Sequence, residues 1–554
     1  MKRIYISIFF IFYFSLFSSV TAQKTGDEDY YASLKRGWQY MQQVYQQLNQ
    51  HYVEEINPYP LMKAGIEGML DQLDPYTVFL EEDGERRLNM ITTGKYGGLG
   101  MEIGLRNQQI TVIAPIDDSP ASRMGIQAGD IIKKIDDKSV KGWSIDKVSR
   151  TLRGKIGTKV TLLIQRPGLS TPFELTLTRA EIILKDVSFA GFVSPGIAYV
   201  SLDGFTDKAP REVKEAIEKM QQEQTIRAFV LDLRGNPGGL LESAVQIVNF
   251  FVPRGKVVVS TRGYREKEFV FKTSNDPILP KVPLAILVNG GSASASEIVA
   301  GSLQDMDRAV IIGQPTFGKG LVQKVYTIDK HRDVKLKITT AKYYIPSGRC
   351  IQKRDYGLNN KVLIHDSLTM HPDSAHIFYT TLHKRPVKDR GGIYPDVTVT
   401  GDSVGYVLMQ LIRKSMFFDF AVQFHREHPK WAQPLVVTDS IFNSFNDFIN
   451  KRHFVYKLEA GRELDKIKSL ASERGYADQI APLIDRLKET FRAEQAKEIE
   501  KSKPSIRKYL RLELVSKYVS KSERERIALQ TDKQLKKALE ILQNSDQYQK
   551  ILNP

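Results

Sequence analysis

The chain has 554 residues, which at about 150 per domain is material for three to four domains and excludes a single small module. Hydrophobic residues make up 42% and charged residues 26%, with 26 Phe and 24 Tyr, so global disorder and a polytopic membrane protein are both excluded. The net charge is +16, and one cysteine, Cys350, excludes an intrachain disulfide and any multi-thiolate metal or iron–sulfur site.

The chain opens on Lys2-Arg3, an apolar stretch from Ile4 to Phe17, and Val20-Thr21-Ala22 before Gln23. A basic start, a short hydrophobic centre and small residues predict an export signal over 1–22, cut after Ala22. The 14-residue centre falls short of the ~18 to 20 apolar residues of a spanning helix, and a retained anchor is the alternative. With no cysteine at the cut, a lipid-anchored end is not expected. Loss of Lys2 and Arg3 leaves +14 on the mature chain. The expected location is the periplasm or the cell exterior, with no stable membrane span after cleavage and no reliance on disulfides.

Residues 23–91 read as an N-terminal helical segment, because Leu34, Trp38, Met41, Val44 and Leu48 recur at helical spacing and Leu61 to Leu73 continues the pattern. From Gly94 the texture changes to short β-type runs, Gln109 to Ala114 and Thr158 to Gln165, punctuated by Gly and Pro. Over 181–400, strand-like runs alternate with helix-like ones: Arg227 to Leu233, Leu240 to Phe251, Leu284 to Asn289, Ser296 to Gln304 and Arg308 to Ile312. That alternation predicts an α/β domain. Residues 401–554 read as helical and polar. Within 451–554, 24 Lys plus Arg against 16 Asp plus Glu carry half of the excess charge. Lys501, Lys503, Arg507, Lys508 and Arg511 form an acid-free run, but the surrounding helix mixes both signs, so solvated helix faces are expected and no nucleic-acid partner.

Tyr96-Gly97-Gly98-Leu99-Gly100-Met101-Glu102-Ile103 is followed by Ser119-Pro120-Ala121 and by Gly125-Ile126-Gln127-Ala128-Gly129-Asp130-Ile131-Ile132. A short amphipathic helix, Ser144 to Leu152, and Arg153-Gly154-Lys155-Ile156-Gly157-Thr158 lead into a strand at Val160 to Gln165. The glycines let the backbone N–H groups of Leu99, Gly100 and Met101 turn into a concave anion site able to hold a terminal carboxylate. No helix follows the glycine turn, so a dinucleotide fingerprint fails. Over 92–180 these residues resemble a PDZ domain, which implies binding of peptide C-termini.

Asn289-Gly290-Gly291-Ser292-Ala293-Ser294-Ala295-Ser296-Glu297-Ile298 joins a buried-strand run to a helix beginning near Ser296. A small-residue turn there lets a hydroxyl stand clear at a helix N-terminus. Ser294-Ala295-Ser296-Glu297 also fits a capping box, and the segment by itself leaves both readings open. Lys319 lies 25 residues downstream in Thr316-Phe317-Gly318-Lys319-Gly320-Leu321-Val322-Gln323, with Gln323 four positions on. Together the two runs resemble the C-terminal processing peptidases, or tail-specific proteases. Further matches are Gly65 to Leu80, Leu231-Asp232-Leu233-Arg234-Gly235-Asn236-Pro237-Gly238-Gly239, Gly301 to Asp305, Pro346 to Arg349 and Gly391 to Asp396.

The resemblance implies a multidomain α/β protein: a crotonase-like serine protease core with an inserted PDZ domain, an N-terminal helical segment and a C-terminal helical region. It implies a Ser/Lys dyad, with Ser294 as nucleophile, Lys319 as general base and Gln323 orienting the lysine. A free lysine titrates near 10.4, so the base needs burial worth about three units, for which Phe317, Leu321 and Val322 are the expected apolar neighbours. For the oxyanion, the Ala295 N–H is one expected donor and Gly239, with Gly238 close behind, the second; Pro237 has no N–H. Arg153 is the candidate for relaying tail binding from the PDZ domain towards Gln323.

His365, His371 and His376 lack a metal-ligand spacing, and Cys350 lacks a neighbouring histidine, so no metal and no cofactor are expected. The expected partners are protein substrates with accessible C-terminal tails; a homo-oligomer or an adaptor stays open. Two other readings are a non-enzymatic PDZ scaffold on an inactive protease core and a crotonase-like enzyme for acyl thioesters. The intact serine, lysine and glutamine argue against the first, and the export signal with the end-reading module against the second.

Overall fold

A computed structural model describes residues 4–81, 83–353, 356, 377–401, 405–431, 435–452, 454 and 459–554. His365, His371 and His376 lie outside the described residues. The residues up to Phe79, together with Tyr356, belong to a smaller unit, built on helices Ile4–His51 and Pro58–Leu70. The apolar spacing there does mark a helix, yet Leu34, Trp38, Val44 and Leu48 are exposed rather than packed. No described helix is long and apolar enough to cross a membrane.

The centre of the larger unit is a six-stranded sheet in the order Val187–Ser194, Ile197–Leu202, Ala228–Asp232, Leu284–Val288, Val310–Gly313 and Val397–Thr398. The first pair is antiparallel and the other neighbours run parallel. Its central strands are continuous apolar runs because both of their faces are covered. On one face lie helices Ala209–Glu223, Leu241–Asn249 and Ala295–Asp305, joined to the sheet through Val213, Ile217, Phe229, Ile286 and Leu303. On the other lie helices Lys533–Gln543 and Ser545–Leu552, whose Leu535, Ala538, Ile541 and Tyr548 pack on Tyr199, Val230, Leu287 and Ile312. The last helices of the chain therefore complete the core of the central sheet. Their charged, polar texture records only the solvated half of each helix.

An antiparallel sheet of Leu321–Asp329, Val334–Tyr344, Val257–Arg262 and Phe269–Lys272 stands beside it. Residues 101–178 form a separate five-strand path with the short strand Lys138–Ser139 attached, around a core that includes Leu99, Val112, Val148 and Ile164. Its helix Ile145–Leu152 starts where the Ser144 side chain accepts the Lys147 N–H at 3.2 Å. Lys95–Gly98 pairs with Ala180–Ile183 at the base of this module. Helices from Tyr406 to Val515 gather around Phe417, Phe420, Phe445 and Phe448. One of them, Met416–Glu427, lies against the β module: Asp419 accepts from Asn107 at 3.2 Å and from Arg452 at 2.9 Å. The basic run has partners too, since Arg507 pairs with Asp439, and Lys503 with Glu500 at 3.0 Å.

Candidate active site

Ser294 occupies the turn between strand Leu284–Val288 and helix Ala295–Asp305. Its φ of 55° and ψ of −113° lie where a residue with a side chain costs about 1–3 kcal/mol, a conformation concentrated at functional sites. Ser294 is half-buried there, beside the positive end of the helix, and forms a capping box with Glu297. The turn is fixed from several sides. Asn236 O accepts the Ala293 N–H at 3.0 Å and Ser296 Oγ at 2.9 Å, and Ser292 Oγ donates to Leu233 O at 2.7 Å.

The glycine segment after strand Ala228–Asp232 runs against this turn. At Gly238, φ is 97°, and a Cβ would lie 2.6 Å from Ala293 O, 2.8 Å from Ser294 Cβ and 2.9 Å from Ala295 N. Only glycine allows that approach. The Gly238 N–H is committed to Asn236 Oδ1 at 2.8 Å, which leaves Gly239 the better available donor of the two. Arg234 anchors the same segment through Asp232 and, from the last helices, Asp532 at 2.6 Å and Gln534 at 3.0 Å. Asp232 also accepts from the buried Tyr199 hydroxyl at 2.6 Å.

Lys319 is half-buried in the loop before strand Leu321–Asp329. Gln323, four positions on, lies within that strand. Gln323 Nε2 donates to Leu321 O at 3.2 Å and approaches Thr339 Oγ1 at 3.5 Å. Of the expected apolar neighbours, Leu321 is buried and Val322 half-buried, but Phe317 is 50% exposed. Phe317 cannot supply the burial expected of it. Its N–H is held by Ser292 O at 3.0 Å, which fixes the backbone of that loop while half of the residue stays exposed.

The serine and lysine segments meet on Glu297. Its Oε2 accepts the N–H of Ser294 at 2.8 Å and of Lys319 at 2.9 Å; its Oε1 accepts Thr316 Oγ1 at 2.5 Å and the Gly318 N–H at 2.7 Å. Burial pushes this carboxyl up to about 7, against the pull of those four donors. In sequence Glu297 reads only as a capping residue; nothing in its spacing predicts a bond to a loop 22 residues away. Tyr343 is likewise silent in sequence, yet its hydroxyl contacts Ser294 O at 3.1 Å and Lys319 O more closely. At the far end of the helix, Asp305 pairs with the buried Arg349 at 2.8 Å, and Gln304 binds Tyr394 O and Asp396 at 2.9 Å. Motifs scattered from 301 to 396 thus form one network.

In the β module, Leu99 and Gly100 make the turn from Lys95–Gly98 into Met101–Arg106, an edge strand of its sheet. Leu99 is buried, and Gly100 O accepts the Ile116 N–H and Ser119 Oγ, each at 2.8 Å. Arg153 lies over the Tyr96 ring at 5.0 Å, and no described interaction joins it to Gln323. Cys350 is partly buried, with its N–H donated to Asp389 at 2.8 Å.

A strained serine at a helix N-terminus, a glycine segment pressed against it and a PDZ-like module define a serine-type peptidase. The description "Peptidase family S41" matches residues 196–362, "PDZ domain" 111–166, "Probable PDZ-protease, C-terminal helical domain" 407–542 and "Activating protease CtpB N-terminal domain" 13–84. A carboxy-terminal-processing protease of Bartonella bacilliformis is 38% identical over 313 residues, 56% of this chain and 71% of that protein. A probable CtpA-like serine protease of Staphylococcus aureus is 38% identical over 315 residues, 56% of this chain and 62% of that protein. Among solved structures, the photosystem II D1 C-terminal processing protease is 27% identical, with 66% of this chain and 86% of that chain covered at a TM-score of 0.37. The chain belongs to peptidase family S41, the carboxy-terminal-processing serine proteases.

Proposed function

We propose that this chain is an exported endopeptidase that captures protein C-terminal tails on its PDZ domain and cuts them with a Ser294/Lys319 dyad. The observation that carries the reading is the strained Ser294 turn, whose backbone shares the Glu297 carboxylate with that of Lys319.

Ser294 Oγ attacks the scissile carbonyl carbon as its proton passes to the neutral Lys319 amine. The tetrahedral oxyanion is received by the N–H groups of Gly239 and Ala295. Collapse of that intermediate breaks the C–N bond, and Lys319 returns the proton to the departing amine. Water, giving its proton to Lys319, then attacks the ester; collapse frees the acid and Ser294 recovers its proton. Gln323 orients the lysine, and Leu321 and Val322 supply its apolar surroundings. The tail carboxylate lies on the Leu99–Met101 turn, and the extended peptide adds to the edge strand Met101–Arg106. Tail binding favours the cutting state through Arg153. Export rests on the basic, apolar and small-residue pattern of 1–22.

Digestion of a denatured protein with an apolar C-terminus by wild type, Ser294→Ala and Lys319→Ala tests the reading. Cleavage by wild type only is expected; equal cleavage by all three overturns it.

A further inference from the structure

Ser294 and Lys319 come from different segments, and a proton passes between their side chains only if both backbones are held to a fraction of an ångström. Their N–H groups converge on Glu297 Oε2. Their carbonyls converge as well, on a different side chain: the Tyr343 hydroxyl reaches Ser294 O at 3.1 Å and Lys319 O at closer range. The backbone N–H and C=O of both residues thus meet shared side chains, a carboxylate on one side and a phenol on the other, while the Ser294 carbonyl also accepts the Glu297 and Ile298 N–H groups at 2.9 and 3.0 Å.

Tyr343 is built to stay in place. It is 1% exposed, near the end of strand Val334–Tyr344, and pairs with Thr261 in the neighbouring strand. Its own N–H donates to Gly320 O at 3.0 Å, one residue beyond Lys319. The loop is therefore gripped by Tyr343 at two successive carbonyls, and the nucleophile turn by the same hydroxyl. A phenylalanine would fill the same volume and keep the strand pairing, so packing alone does not call for the hydroxyl.

We propose that Tyr343 is a positioning residue for the reaction, its hydroxyl setting the separation of Ser294 and Lys319 by bridging their carbonyl oxygens. The proposal rests on the Ser294/Lys319 reading. It assigns Tyr343 no proton transfer and no contact with substrate.

The test compares steady-state cleavage of a tailed peptide by wild type, Tyr343→Phe and Tyr548→Phe. Tyr548 carries the control, because it is another buried phenol, bonded to the Leu284 N–H at 2.9 Å, on the opposite face of the sheet. Tyr343→Phe is expected to lower kcat about 10- to 100-fold with KM within about twofold, while Tyr548→Phe holds kcat within about threefold. Labelling of Ser294 by a sulfonyl fluoride slows in parallel with kcat. Incorporation of 3-fluorotyrosine at 343, which keeps the hydroxyl, restores kcat, and it remains informative if the phenylalanine variant fails to fold. Wild-type kcat in Tyr343→Phe, or the same loss with 3-fluorotyrosine as with phenylalanine, overturns the proposal. Ser294→Ala and Lys319→Ala run alongside: activity retained in those two sinks the dyad itself, whereas activity lost in them and kept in Tyr343→Phe sinks only the bridge.

Discussion

The backbone N–H groups of Ser294 and Lys319 donate to one oxygen of Glu297, at 2.8 and 2.9 Å. The same carboxylate that caps the helix after Ser294 thereby holds the loop that carries Lys319. All four groups around it are donors, which favour the ionised carboxylate, while burial favours the protonated form and outweighs them below about pH 7.

Glu297→Gln is therefore expected to be far from neutral. Its amide nitrogen must face two of those buried donors, each a mismatch worth about 1–3 kcal/mol. Thermal unfolding is expected several degrees lower, and kcat/KM reduced, because the strain falls on the Ser294 turn and the Lys319 loop together.

The same residue predicts a pH dependence of stability. Burial raises its carboxyl from 4.5 to about 7 in the folded chain, so the folded state holds a proton that the unfolded state releases. The contribution of this group to stability is fully present below about pH 4.5, declines as pH rises to about 7, and is level above. Wild type minus Glu297→Gln, measured by denaturant midpoints from pH 4 to pH 8, is expected to slope across that window only.

Gly238→Ala introduces a Cβ 2.8 Å from Ser294 Cβ at a φ of 97°. With Ser294 as the proposed nucleophile, moving its turn by even an ångström is expected to cost about 100-fold in kcat/KM. Steady-state assays with a check of Tm separate this from general unfolding. Gly235, with φ 71° and open space at its Cβ, serves as the comparison: Gly235→Ala is expected to cost stability through its backbone but much less kcat.

Much of this site is legible in sequence, and the boundary of legibility has a physical cause. Turn residues announce themselves locally, so the Ser294 turn, the Gly238-Gly239 segment and the Lys319 loop stand out between strand-like runs. Glu297 and Tyr343 act through contacts across separate segments, and no local period encodes such a meeting. Phe317 shows the reverse error: an aromatic beside a key residue invites burial, but a loop held by its backbone leaves this one half exposed. The amphipathic pattern of 533–552 marks a buried side without saying against what, so the packing of the last helices on Val230 and Leu287 is not readable from it.

That packing carries its own expectation. A chain ending at residue 520 loses Leu535, Ala538, Ile541 and Tyr548 from the sheet, at about 1.5–3 kcal/mol for each large side chain, together with the Asp532 contact to Arg234. Net domain stability is only about 5–15 kcal/mol. Such a chain is expected to be insoluble or uncooperative in unfolding, as solubility and calorimetry will show.

Arg153 is tested by tail dependence. Arg153→Ala is expected to slow cleavage of a substrate with a free apolar C-terminus while leaving an amidated, tail-blocked version at its already low rate. Equal wild-type and variant rates on the tailed substrate would remove the coupling role.

The most direct measurement is the rate and position of covalent labelling by a sulfonyl fluoride, read by peptide mass spectrometry in wild type and Lys319→Ala. A single label on Ser294 in wild type, at least about 100-fold slower in the variant, is the expected result. A label on any other serine, or equal rates in the two proteins, contradicts a nucleophile at 294 activated by an amine at 319.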